Sequence, residues 1–96
     1  MNAPTVADVR HLDDQHRFEL LVDGQICGAT YRMKGSVMQV LHTGVPAALE
    51  GRGLAGMVVQ AVLDHARMQG WRVEPVCSYV RAYMRRHPDN LDLLAS

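Results

Sequence analysis

Two cysteines, one lysine, one phenylalanine and one tryptophan in 96 residues narrow the field before any pattern is read. Cys27 and Cys77 lie far apart and belong to no CxxC or Cys/His cluster with metal-ligand spacing, which points to free thiols in a reducing, cytoplasmic setting. His11, His16 and His87 likewise have no spacing that assembles a metal site, so no metal is expected. Charge of either sign is not in excess: nine arginines and one lysine meet ten acidic residues, for a formal net charge of zero. No global field then favours nucleic acid or an anionic membrane, and an anionic ligand must be held by a local site. No apolar run is long enough to span a bilayer or to serve as a signal peptide. Low-complexity tracts, internal repeats and linkers are missing too.

What is present is an ordinary globular composition, 48% apolar and 21% charged, in a length that suits one domain over residues 1–96 with a single core. Val6 to His11 reads as a short edge strand and His11 to His16 as a polar connector. Two runs of period two follow. Phe18, Leu20 and Val22 point one way and Arg17, Glu19 and Asp23 the other, with Asp23-Gly24 as a hairpin turn. The return strand sets Cys27, Ala29, Tyr31 and Met33 against Gly28, Thr30 and Arg32. After the turn Lys34-Gly35-Ser36, the segment Val37 to Val45 is apolar on both faces, as a central strand covered on both sides would be.

The clearest helix runs from about Gly53 to Gln69. Leu54, Met57, Val58, Ala61, Val62 and His65 make the stripe of a helix lying on a sheet, and Gly70 ends it in the left-handed position. Trp71 to Val76 is a further strand, so strand, helix and strand form a βαβ crossover with parallel strands. Ser78 caps a second helix that Pro88 stops near His87, and Asp89 to Leu94 adds one more helical turn. The fold class is α/β: a mixed sheet made of an antiparallel meander followed by a βαβ crossover and a C-terminal helix.

Between the buried strand and the first helix lies Glu50-Gly51-Arg52-Gly53-Leu54-Ala55-Gly56. Amides opening a helix have no intrahelical acceptors and, with the helix dipole, make an anion site. Glycines let a phosphate approach the backbone, and a diphosphate is the natural guest. A tight turn into a helix explains the same residues without a ligand. The run has neither the GK[ST] of a triphosphate loop nor the full GxGxxG of a dinucleotide site.

A strand ending in Val45-Pro46, then Gly51-Arg52-Gly53-Leu54-Ala55 opening a helix, then a second strand and helix, resembles the coenzyme A motif of the GNAT superfamily of N-acetyltransferases, over about Phe18 to His87. More narrowly, His42-Thr43-Gly44-Val45-Pro46, Val73-Glu74-Pro75-Val76-Cys77-Ser78-Tyr79-Val80 and Tyr83-Met84-Arg85-Arg86-His87-Pro88 are similar to a minimal branch of about a hundred residues that carries the same cysteine. The resemblance implies acetyl-coenzyme A as acetyl donor and an unidentified primary amine, small molecule or protein, as acceptor. It implies amides of Arg52, Gly53, Leu54, Ala55 and Gly56 on the pyrophosphate, and backbone groups of Thr43, Gly44 and Val45 along the pantetheine arm. Glu50 departs from the family, which usually has Gln or Arg there. The family's usual helices after the first strand are missing, so the acceptor side of the groove is expected to be open or completed by a partner chain.

The resemblance also sets the candidates for catalysis. Cys77 ends the last strand beside the expected thioester, as a nucleophile that accepts the acetyl group or as a thiol lining the channel. His42 lies on the strand the thioester docks against and is the candidate general base, against the alternative of a core histidine. Tyr83 occupies the place of a tyrosine that protonates the departing thiolate, and Tyr79 shares its face; either can equally be packing. Arg85, four residues after Arg81, is a candidate for a coenzyme phosphate, whereas Arg86 complements the helix dipole. The expected function is acetyl transfer by a monomer or weak homodimer with no nucleic-acid or membrane partner. The competing expectation is a coenzyme A-binding or interaction module with little catalytic rate.

Overall fold

The computed structural model describes residues 3–95. Five strands form one sheet in sequential order: β1 (Arg10–Leu12), β2 (Arg17–Val22), β3 (Gln25–Lys34), β4 (Val37–Gly44) and β5 (Arg72–Pro75). Neighbours are antiparallel except β4 and β5, which are parallel and joined by helix α1 (Leu54–Gln69); helix α2 (Ser78–Arg86) follows β5. The meander, the crossover and the C-terminal helix are therefore as expected. Among the described residues, no helix is long and apolar enough to cross a membrane.

Local chemistry accounts for the turns. Asp23 and Gly24 both take positive φ, 51° and 77°, the twist that a two-residue hairpin loop needs to match its strands. The first strand differs from its expected position. Val6–Asp8 is a 3-10 turn in which the Asp8 carboxylate accepts the Thr5 amide at 2.8 Å, and the strand begins only at Arg10.

Both helices lie on the same face of the sheet. Phe18, Leu20, Val22, Cys27, Ala29 and Tyr31 from the meander share one core with Met38 and Val40 of β4, with Val58, Val62 and Leu63 of α1, and with Val80 and Met84 of α2. The α1 stripe is rotated from its expected line. Val59, Leu63 and Ala66 are buried, while Met57, Ala61 and His65 only border the core. Apolar residues occupy two adjacent helical rows, and the pattern alone does not say which row the sheet covers.

β4 is central, yet it is covered on both sides only over Met38, Gln39 and Val40. The outer cover is a side-chain ladder rather than a layer: Arg32 Nε donates to Gln39 Oε1 and Gln39 Nε2 to Glu74 Oε1, each at 2.9 Å. Leu41 and His42 are exposed. A β-bulge explains the change. Tyr31 pairs with Val40 but Thr30 pairs with His42, so Leu41 is the extra residue. Beyond it, Thr43 opposite Ala29 faces the core side, and His42 opposite Thr30 faces outward. At the far edge, the Ala95 amide donates to Val73 O at 2.8 Å, so the chain's own tail covers part of β5.

His11 joins the core side of the edge strand. Its ring stacks on Phe18 at 4.3 Å, lies 4.3 Å from that of His65, and its Nε2 pairs with Tyr31 Oη at 2.5 Å. Burial first, and then His65 and His16, hold its pKa below the ordinary 6.5, against an opposing pull from Asp13. The folded chain thus binds fewer protons than the unfolded chain on the acid side. Unfolding free energy should fall as pH drops through about 6.5 and level off below the folded-state pKa. Urea titrations across that range should show the decline in the parent and a shallower one in His11→Phe.

Candidate active site

The β4–β5 ladder pairs Val37–Val40 with Arg72–Pro75 and then stops. One further bond, from the Cys77 amide to Val40 O at 2.9 Å, marks the point of the fork. Among the described residues, no strand lies beside Leu41 to Gly44 on that side, because the chain after β5 turns into α2. On that edge the Thr43 amide turns to the Cys77 thiol instead of to a strand.

Cys77 sits in the fork. Ser78 is the first residue of α2 and Cys77 is its N-cap, one position earlier than the expected cap. Its Sγ lies 3.7 Å from Thr43 Oγ1, a contact that the bulge creates by turning Thr43 inward. Burial alone would raise the thiol's pKa. The Val80 amide, the Thr43 hydroxyl and the amides of Tyr79 and Thr43 outweigh it, and the net shift is downward. Cys27 is the opposite case, fully buried and pushed up by that burial despite Arg52.

At the end of β4 the glycine loop turns into α1. Gly51 and Gly53 have φ of 81° and 75°, values that L side chains rarely adopt, and Gly53 is the N-cap. A cavity of about 200 Å³ lies against this turn, bounded by Val45, Leu49, Glu50, Gly53, Ala55 and Tyr79. The Arg52 side chain reaches away, to Asp23 Oδ2 at 2.9 Å, which fastens the loop to the β2–β3 turn. Glu50 places a carboxylate at the cavity, so a diphosphate there must rely on backbone donors.

The groove continues between the helices as a cavity of about 450 Å³, bordered by Gly53, Gly56, Gln60, Tyr79, Tyr83 and Arg86. A β-carbon at Gly56 would stand 3.3 Å from Tyr83 Cε2 and 3.7 Å from Tyr79 Oη, so this glycine lets the two helices approach around the groove. Tyr79 borders both cavities. Tyr83 donates its hydroxyl to Gln60 Oε1 at 2.7 Å and stacks on His87 at 4.1 Å. Burial first, and then Tyr79 and Asp64, raise its pKa, so it remains protonated at neutral pH.

The fold brings Thr43 and Cys77 together and gathers Gly53, Leu54, Ala55 and Gly56 at one helix start. It does not bring His42 to Cys77, because they lie on opposite sides of the β4 backbone. Nor does it turn Arg85 to the groove: Arg85 and Arg81 border a different cavity on the other side of α2, beside Glu74 and Met84. Arg86 is the arginine at the groove. Tyr79, Tyr83 and Arg86 recur at i, i+4 and i+7, and that helical spacing was the available signal for it. Among the described residues, no three His, Cys, Asp or Glu side chains are placed to hold a metal ion.

A mixed sheet whose parallel strands part beside a glycine-rich helix start is the architecture of the GCN5-related N-acetyltransferases. The family's model, described as GCN5-related N-acetyl-transferase, matches residues 17–93, and the chain belongs to this family. Among curated proteins it resembles Protein NATD1 of Gallus gallus and of Mus musculus, each 31% identical over 52 residues. Those matches cover 54% of this chain and 47% of each relative, so the alignment spans about half of either. Among solved structures it is similar to a GCN5-like candidate N-acetyltransferase from Staphylococcus aureus, with a TM-score of 0.73, 22% identity, and coverage of 92% of this chain and 87% of that one.

Proposed function

We propose that the protein binds acetyl-coenzyme A along the β4–β5 fork and transfers the acetyl group to a primary amine, in a reducing, cytoplasmic setting. The observation that carries this reading is the arrangement of the Thr43–Cys77 contact at the fork, the cavity at the glycine turn, and the cavity between α1 and α2 that shares Gly53 and Tyr79 with it. Pantetheine lies along the unpaired edge of β4, at Thr43, Gly44 and Val45. The pyrophosphate takes the amides from Arg52 to Gly56. The rest of the coenzyme follows the groove past Tyr79 and Tyr83 to Arg86.

Catalysis follows from positioning and from donors that are already oriented. An amide N–H on the free edge of β4 donates to the thioester oxygen as negative charge develops on it. The ammonium loses one proton to His42, and the neutral nitrogen attacks the acetyl carbon. The carbon–sulfur bond then breaks, and the departing thiolate takes up a proton through solvent in the open groove. Tyr83, with its hydroxyl engaged by Gln60, serves as a wall of the groove in this scheme.

The lowered pKa of Cys77 favours a second route, in which its thiolate takes the acetyl group from coenzyme A and the amine then removes it. One experiment separates the routes and tests the function. With acetyl-coenzyme A alone, direct transfer predicts no change in protein mass, and the covalent route predicts one acetyl group on Cys77 that is lost when an amine is added. Cys77→Ser should keep coenzyme binding; it loses a few-fold in rate on the direct route and nearly all of it on the covalent route. Coenzyme binding with no amine-dependent thiol release, across small amines, protein N-termini and lysines, would make the protein a binding module instead.

A further inference from the structure

The outer face of the sheet holds a cavity of about 310 Å³ that lies beside β4, on the side away from both helices. Its floor is two glycines, Gly28 on β3 and Gly44 on β4, which are cross-strand partners. Both positions are crowded by the groups that lean over them. A β-carbon at position 28 would stand 3.0 Å from Phe18 O and 3.4 Å from Arg17 Nη2, and one at position 44 would stand 3.3 Å from His42 Nε2. The guanidinium and the imidazole therefore overhang the floor from two sides. Thr30 and Ile26 form further parts of the wall.

Arg17 is held in a particular way. Its Nε donates to Glu19 Oε2 at 3.1 Å, and Glu19 itself does not line the cavity. The carboxylate thus occupies one edge of the guanidinium and leaves the η-nitrogens, including the one above Gly28, for another acceptor. A planar pair of N–H donors matches the two oxygens of a carboxylate.

Resting on the acetyl-transfer reading, we propose that this cavity is the acceptor site and that the acceptor is a free amino acid, with its carboxylate on Arg17 and its amine at His42. His42 stands over Gly44 on the outer face of β4, so an amine delivered there meets the base, and the acetyl carbon reaches it from the fork past the open edge of β4. A lysine side chain or the N-terminus of a protein has no carboxylate next to its amine and would leave Arg17 unused.

The test compares glycine, L-alanine, L-leucine and L-methionine with their carboxamides, which keep the amine and remove the charge. Nitrogen-edited NMR, with and without coenzyme A, should show the amides of Gly28, Thr30 and Gly44 moving with the acids and not with the carboxamides. In the transfer assay, Arg17→Gln should raise KM for the acid about tenfold or more with kcat little changed, and Arg17→Lys should recover part of the loss. Carboxamides that bind or react as well as the acids, an unchanged KM in Arg17→Gln, or shifts confined to other residues would overturn the proposal. If coenzyme A does not bind, the acetyl-transfer reading fails separately, and the shifts seen without coenzyme still report on the cavity.

Discussion

Coenzyme A titrated into the Gly53→Pro variant is expected to release no measurable heat at concentrations that saturate the parent. Gly53 is the N-cap of α1 with φ of 75°. Proline fixes φ near −65° and has no N–H, so the substitution removes one donor from the turn and rotates the others away from a common point. Gly53→Ala separates these effects, because it keeps the donor and adds only the strain of a left-handed side chain, about 1–2 kcal/mol. Alanine should lower thermal stability and weaken binding modestly. A β-carbon at Gly53 would meet no atom within 4 Å, and NMR spectra of both variants should show the sheet intact. Undiminished binding by a folded Gly53→Pro variant would remove the diphosphate from this loop.

Replacing His42 by alanine should lower turnover about 10²–10⁴-fold, the range for loss of a positioned general base. Affinity for coenzyme A should stay close to that of the parent, because His42 points away from the fork and its side chain touches neither the glycine turn nor the groove between the helices. The exposure that excludes a core role also makes the variant safe for folding, so a loss of rate is not a loss of structure. Added imidazole should restore part of the rate in His42→Ala, since the vacated space opens to solvent. A merely structural histidine would show no such rescue, and a rate unchanged by the substitution would end its assignment as the base.

Much of this architecture is legible in the chain. Alternation of Phe18, Leu20 and Val22 against Cys27, Ala29 and Tyr31, with Asp23-Gly24 between them, specifies the hairpin and its buried face because strand side chains alternate strictly. The glycine turn before an amphipathic helix marks the helix start that the structure shows. Arg86 was not singled out, because charge alone does not distinguish Arg85 from Arg86 at the end of a helix, and its spacing from Tyr79 and Tyr83 identifies it only once those tyrosines are seen to face the groove.

The bulge at Leu41 has no such signature. An extra residue in one strand is settled by what the neighbouring strand and the core accept, and it reverses the facing of every residue after it. That reversal turns Thr43 toward Cys77 and His42 toward the open face, where a plain alternation from Met38 and Val40 would have placed His42 inward. The sequence by itself determined the order of the elements, the hairpin register and the glycine helix start, since each depends on contacts between residues near one another in the chain or on strict periodicity. Only the tertiary structure decided which residues meet across the fork, which arginine faces the groove, and that Arg17 and His42 overhang one cavity. Those pairings join β2, β4 and α2, and a long-range contact depends on packing that no local pattern encodes.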